Sequence, residues 1–182
     1  MADRVRLAVV MDPIGNIKQA KDSTLAMLLA AQARGWEVHY LELRDIWLRD
    51  GDAWGRTAAL TVRDHPKDWF GLGEQLTERL ATFDVILMRK DPPFDTEYIY
   101  STYILERAEV QGALVVNRPQ GLRDMNEKVY TAWFPDCCAP TLISRDMADM
   151  AAFLAEQGKI VVKPLHGMRS EEHTSELQSP IH

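Results

Sequence analysis

The sequence lacks the features of a membrane protein and of a nucleic-acid-binding protein. No apolar run approaches the ~20 residues that a membrane-spanning helix needs. The apolar stretch at residues 7–11 ends at Asp12 and is too short for a secretion signal. Acidic residues outnumber basic ones by 27 to 21, whereas a nucleic-acid site needs clustered positive charge. We therefore predict a cytoplasmic protein with no membrane and no nucleic-acid partner.

Cysteine is also scarce. The sequence has 2 cysteines, Cys137 and Cys138, and they are neighbours. A disulfide between neighbours would strain both the bridge and the peptide bond that separates them. Because no CxxC spacing is present, we expect no metal site and predict two reduced thiols, as is usual in a reducing compartment.

The residues that are present show helix and strand patterns in alternation. Residues 4–11 end in a continuous apolar run, which is typical of a buried parallel strand. Residues 22–34 have helical spacing with an Asp-Ser-Thr start, and residues 37–43 return to a strand pattern. Further along the chain we predict a strand or hairpin arm at 57–63, helices at 73–82, 96–111, 122–133 and 146–157, and strands at 85–88, 113–117 and 160–164.

This alternation predicts an α/β fold with a Rossmann-like parallel sheet. Ligands of such sheets bind beyond the carboxyl ends of the strands. The loop that begins at Asp12 and the loop that begins at Arg89 both follow predicted strands, so they are the places to look for a site.

Several segments resemble the prokaryotic glutathione synthases, a family of ATP-grasp ligases. The resemblance is carried by three segments and extends over essentially everything up to Met168. The three are the run VVMDPI at residues 9–14, the run DVILMRKDPPFDTE at residues 84–97 with its continuation YILERA at 103–108, and VNRP at 116–119. It continues through LRDMNEK at 122–128, TAWF at 131–134 and VKPLHGM at 162–168.

The resemblance implies a ligase that uses ATP and Mg²⁺ and is a homo-oligomer. In this family ATP phosphorylates the carboxylate of γ-glutamylcysteine, and the amine of glycine then displaces phosphate from the acyl phosphate. It also implies the domain division: a pre-ATP-grasp, substrate-side domain at residues 1–123 and the beginning of a truncated ATP-grasp domain at 124–168.

Two lysines match those that the family places against the nucleotide. Lys128 and Lys163 are therefore the candidate ATP-binding residues. A solvated helix lysine is the alternative for Lys128, because lysine is among the most exposed residue types. For Lys163, which ends an apolar strand before Pro164, that alternative is weaker.

The candidate substrate-binding residues are Asp12, Arg89, Lys90 and Asp91. Arg89 offers a bidentate fork for a carboxylate, and Asp91 can accept a hydrogen bond from an α-ammonium group. The same charges could instead form a local ion-pair network that caps a turn, and Asp before Pro is also an ordinary turn initiator. We assign no catalytic residue, because the mechanism requires no side-chain nucleophile.

The family pattern stops after Met168, where a glycine-rich turn is expected. Residues 169–182 instead resemble the translation of a sequencing-library adapter, with a natural disordered tail as the alternative. The magnesium ligands of the family would lie in a missing C-terminal part, so we expect this chain to be inactive by itself. His166 also departs from an acidic residue found in some members.

Two other functions stay open from the sequence. The first is a Rossmann-like module that binds a small anion without catalysis. The second is another ATP-grasp ligase, such as a D-alanine or glutamate ligase, although the RKDPPFD run at residues 89–95 argues against it.

Overall fold

A computed structural model describes residues 4–165 and the backbone of Ser175–Glu176, and the chain divides into two compact units, residues 1–123 and 124–182. Segment 169–182, which we predict to be foreign, lies outside the described residues apart from Ser175–Glu176, and His166 lies outside them as well. The first unit contains β1 (Arg6–Val10), α1 (Ser23–Ala33), β2 (Glu37–Leu41), β3 (Ile46–Arg49), β4 (Asp52–Val62), β5 (Phe70–Arg79), β6 (Val85–Met88), α2 (Thr96–Val110) and β7 (Leu114–Val116), with α3 (Pro119–Asp124) at its end.

The parallel half of the sheet has the strand order β2-β1-β6-β7. The apolar run of β1 is buried throughout Leu7–Val10, as a strand covered on both faces requires. Helix α1 begins where the sequence predicts it, because the Asp22 side chain accepts a hydrogen bond from the backbone N–H of Leu25 at 2.8 Å. The prediction of an α/β fold is confirmed in this half.

The two long helices cover opposite faces of this sheet. Leu28 of α1 packs with Leu7 and Val9 of β1, whereas Leu105 of α2 packs in the cluster that contains Ala8 and Val10. The chain passes from β1 to β2 on one side and from β6 to β7 on the other. The strand order therefore reverses between β1 and β6, and a crevice opens at the carboxyl ends of strands at such a point.

The other half of the sheet is antiparallel, and the only part of it that the sequence predicted is the strand or hairpin arm at 57–63, which falls largely within β4. Strand β4 pairs antiparallel with β2, β3 and β5. Asp50 and Gly51 join β3 to β4 as a two-residue turn with φ of 53° and 82°. An Asp-Gly pair is common in such hairpin turns, so residues 50 and 51 were the local sequence signal for the hairpin of β3 and β4.

The predicted helix at residues 73–82 is wrong. Residues 70–79 form β5, which pairs with β4 from Phe70 opposite Val62 to Arg79 opposite Trp54. Glu, Gln, Leu and Arg favour a helix locally, but a long neighbouring strand offers hydrogen bonds along the whole segment. Tertiary pairing overrides propensity here.

A polar network lies at the amino end of β1 and β2. His39 is 4% exposed, and its Nε2 lies 2.6 Å from a carboxylate oxygen of Glu37. The Glu78 carboxylate on β5 accepts hydrogen bonds from the Arg6 guanidinium at 2.8 Å and from the Thr57 hydroxyl at 2.5 Å. This network ties β5 to the parallel half of the sheet.

The network predicts a loss of stability in acid. The hydrogen bond with His39 holds the pKa of Glu37 below its ordinary value of 4.5. Burial pushes the pKa of Glu78 upward, but the hydrogen bonds from Thr57 and Arg6 outweigh it and leave the pKa lowered. A carboxylate with a lowered folded-state pKa stabilises the fold above its unfolded-state value and loses that contribution as the pH falls through the folded-state pKa.

We therefore expect the free energy of unfolding to fall as the pH drops below about 4.5. Urea unfolding at several pH values measures it. Glu78→Gln should flatten this dependence, whereas Glu74→Gln, on an exposed position of the same strand, should leave it unchanged. An equally steep decline in Glu78→Gln would contradict the assignment.

The described part of the second unit contains α4 (Met147–Gln157), β8 (Val161–Val162) and β9 (Ser175–Glu176). The prediction of α4 is confirmed, and Asp146 caps it by accepting from the N–H of Ala148 at 2.8 Å. The predicted strand at 160–164 is reduced to β8. Within the described residues, no helix combines the length and the apolar character that a membrane crossing requires.

The predicted helix at residues 122–133 is also wrong. Helix α3 ends at Asp124, and Tyr130–Trp133 form a short 3-10 turn. The Asn126 side chain accepts hydrogen bonds from the backbone N–H groups of Lys128 at 3.0 Å and Val129 at 3.1 Å. Such side-chain bonds compete with the helical pattern and start a separate turn.

Candidate functional site

Asp12 connects the two loops that meet at the carboxyl ends of β1 and β6. One oxygen of its carboxylate lies 2.8 Å from Nζ of Lys90. The other accepts a hydrogen bond from the backbone N–H of Asp91, also at 2.8 Å. The structure thus brings together three of the residues that the sequence assigns to substrate binding. It also shows that Asp12 and Lys90 form the local ion pair that the sequence analysis gave as an alternative.

Arg89 belongs to the same loop but turns toward α1. Its backbone N–H donates to the carbonyl of Val10 at 2.8 Å, which continues the β1–β6 pairing beyond the strand. Its Nε donates to the Thr24 hydroxyl at 3.0 Å, and its Nη2 donates to the Ser23 hydroxyl at 2.9 Å. Sequence reasoning named Ser23 and Thr24, with Asp22, only as candidates for the helix cap and missed their hydrogen bonds with Arg89.

Tyr98 forms part of the surroundings of this loop. The side chain is buried, and this burial is the main reason that the pKa of its hydroxyl is raised. The charge of Arg89 lowers the pKa and that of Asp91 raises it, and both effects are smaller than the effect of burial. The backbone N–H of Tyr98 donates a hydrogen bond of 2.9 Å to the side chain of Asp95, and this bond caps α2. Helix α2 therefore begins directly beside the charged loop.

The second unit contains a cavity of about 650 Å³ within its described part. Both candidate nucleotide residues, Lys128 and Lys163, line it. Nζ of Lys128 donates to the carbonyl of Pro164, and the exposed Lys163 directly follows β8. The remaining lining includes Glu127, Thr131, Met150, Phe153, Lys159 and Ile160.

The lining of this cavity suits a ligand with an anionic and an apolar part. Its volume lies in the range of roughly 300–1,000 Å³ typical of small-molecule sites. The lining contains three lysines and one glutamate, and Met150 and Phe153 supply an apolar wall. In the described residues, no group of three or more His, Cys, Asp or Glu side chains is placed to hold a metal ion.

Comparisons with known proteins identify the family of the chain. The family model for the N-terminal domain of prokaryotic glutathione synthetase matches residues 5–123. The family model for its ATP-grasp domain matches residues 127–175 and so includes part of the segment that we set apart after residue 168. That this segment is foreign stays a prediction.

Two relatives illustrate the degree of similarity. The chain is 54% identical over 164 residues to a glutathione synthetase of Salmonella typhimurium, and 53% identical over the same length to one of Escherichia coli (strain K12). Each alignment covers 90% of this chain and 52% of the relative. The chain therefore spans about half the length of the curated relatives it matches.

A solved structure shows the same fold at much lower identity. The ATP-grasp ligase PsnB, complexed with minimal precursor, has a TM-score of 0.53 and 16% identity, over 97% of this chain and 58% of PsnB. At that identity the likeness shows the fold alone, and it confirms the predicted fold class. With the family model matched along the whole first unit, the chain belongs to the prokaryotic glutathione synthetase family.

Proposed function

We propose that this chain provides the substrate-side domain and the first part of the nucleotide site of a ligase that joins γ-glutamylcysteine to glycine. The domains are residues 1–123 and 124–168, and the protein acts in the cytoplasm. The observation that carries the proposal is that Lys128 and Lys163, assigned to the nucleotide from the sequence, line one cavity. The implied homo-oligomer stays a prediction.

The cavity supports ATP as the cofactor. ATP supplies the phosphoryl group that activates the peptide carboxylate. Lys128 and Lys163 would hold its phosphates, because fixed cations offset the charge that develops during phosphoryl transfer. The apolar wall with Phe153 is suited to a purine ring. Ligands for Mg²⁺ are expected from the half of the relatives that this chain does not cover.

The loops of the first unit support an anionic peptide as the substrate. The cationic Arg89 lies at the reversal point of the sheet, where ligands of α/β proteins bind. It would bind a carboxylate of γ-glutamylcysteine, and the exposed carboxylate of Asp91 would accept from the α-ammonium group. Holding the peptide in this way would fix the orientation of its reacting carboxylate.

Calorimetric titration of the chain with γ-glutamylcysteine tests the substrate assignment. Arg89→Ala is expected to weaken binding by about 10- to 100-fold, because a hydrogen bond to a charged group contributes roughly 1.5–3 kcal/mol. The matched control is Arg63→Ala, whose guanidinium forms an exposed pair with Asp68. Equal affinity for inorganic phosphate and γ-glutamylcysteine would instead favour a non-catalytic anion-binding module, and a preference for D-alanine would favour another ligase.

A further inference from the structure

The hydroxyls of Ser23 and Thr24 hold the Arg89 guanidinium and have no role in capping α1. The cap is formed by Asp22, whose side chain accepts from the N–H of Leu25. Thr24 is 4% exposed, so its hydroxyl is removed from water. A buried hydroxyl requires a hydrogen-bond partner, and Arg89 Nε provides it at 3.0 Å.

The two hydroxyls engage one edge of the guanidinium. Nε and Nη2 donate along the same side of the planar group, to Thr24 and Ser23 respectively. The adjacent edge, formed by Nη1 and the second N–H of Nη2, makes no hydrogen bond to the described residues. That edge has the two parallel donors that a carboxylate accepts in a bidentate pair.

Both groups that hold Arg89 are neutral. In the part of the chain that the structure describes, Arg89 forms no ion pair, whereas Lys90 is paired with Asp12 at 2.8 Å. A carboxylate in place of the hydroxyls would cancel the charge of Arg89 before a ligand arrived. Hydroxyls fix the plane of the guanidinium and leave its full charge available.

We propose that Ser23 and Thr24 are positioning residues, which present the outer edge of Arg89 to a carboxylate of the bound peptide. The ion pair between Lys90 and Asp12 joins the loop after β6 to the loop after β1. The inference rests on the proposed function, because the peptide is its ligand. It adds two uncharged side chains on α1 to the binding machinery, acting through Arg89.

A double-mutant cycle on the whole chain tests this role with γ-glutamylcysteine as the probe. Thr24→Val keeps the shape of the side chain and removes the hydroxyl, and we expect it to weaken binding about tenfold. Thr24→Ser should restore affinity to within about twofold. Thr61→Val, at an exposed hydroxyl on β4, is the control and should not change binding.

The cycle separates positioning from a structural effect. If Thr24 acts through Arg89, Thr24→Val should cause no further loss when Arg89 is already alanine. The same tenfold loss in both backgrounds would overturn the proposal, as would unchanged binding in a Thr24→Val, Ser23→Ala double variant. Unchanged binding in Arg89→Ala would instead overturn the peptide site itself, so the two failures are distinguishable.

Discussion

Lys163→Ala, in a protein that continues this chain through the remaining half of its relatives' length, is expected to lower kcat/KM for glutathione formation by ~10²–10³-fold. Lys163 follows β8 and lines the cavity proposed for the nucleotide. Its ammonium group would stabilise negative charge on the phosphates during transfer, and alanine has no replacement for it. ADP release in the presence of γ-glutamylcysteine and glycine measures the effect.

The matched control for this variant is Lys67→Ala, which removes an exposed lysine from the first unit. It should retain full activity. Lys163→Arg keeps the charge but not the compact ammonium group, so we expect activity between that of alanine and that of lysine. Removal of a group that stabilises the transferred phosphate is expected to lower kcat/KM by at least about 10²-fold. If the kcat/KM of Lys163→Ala stays within about threefold of the parent value, the assignment of Lys163 to the nucleotide is wrong.

Phe83→Ala is expected to lower the free energy of unfolding of the first unit by about 3–5 kcal/mol. Phe83 is 2% exposed and belongs to the core cluster between the sheet and α2. The His39 ring meets it edge-on at 5.1 Å, and the Arg6 guanidinium lies 4.5 Å from its centroid. Alanine would leave a cavity and would remove both of these contacts from the polar network.

Tryptophan fluorescence in a urea titration measures this loss, because four of the 5 tryptophans lie within residues 1–123. Phe83→Leu keeps most of the volume and should cost less than about 1.5 kcal/mol. Tyr100→Ala removes an aromatic ring that is 60% exposed and should change stability by no more than about 0.5 kcal/mol. A loss below about 1 kcal/mol in Phe83→Ala would show that Phe83 does not anchor the core.

The candidate site could be predicted in part because its residues follow strand ends. A continuous apolar strand that stops at Asp12, and another that stops at Arg89, indicate two loops at the same edge of a parallel sheet. The hydrogen-bond partners of those residues could not be predicted from the sequence. The hydrogen bond between Ser23 and Arg89 joins positions that are 66 residues apart, and no local pattern encodes such a distance.

Local signals also explain which elements were predicted correctly. Helix α1 and helix α4 each begin at an aspartate that caps the first turn, a short-range interaction that the sequence displays directly. Strand β5 and the region after Asp124 were predicted as helices because their residues favour helices. Pairing with β4 made the first segment a strand. In the second segment, hydrogen bonds to the Asn126 side chain replaced the helical pattern with a separate turn.

Residue order alone was sufficient for the family and the parallel core, since these depend on apolar runs, helix caps and matched motifs. Folding decided the antiparallel half of the sheet, the neutral hydroxyls that hold Arg89 and the pairing of Lys90 with Asp12. Such features arise from contacts between distant segments, whose geometry exists only after the chain has packed around its core.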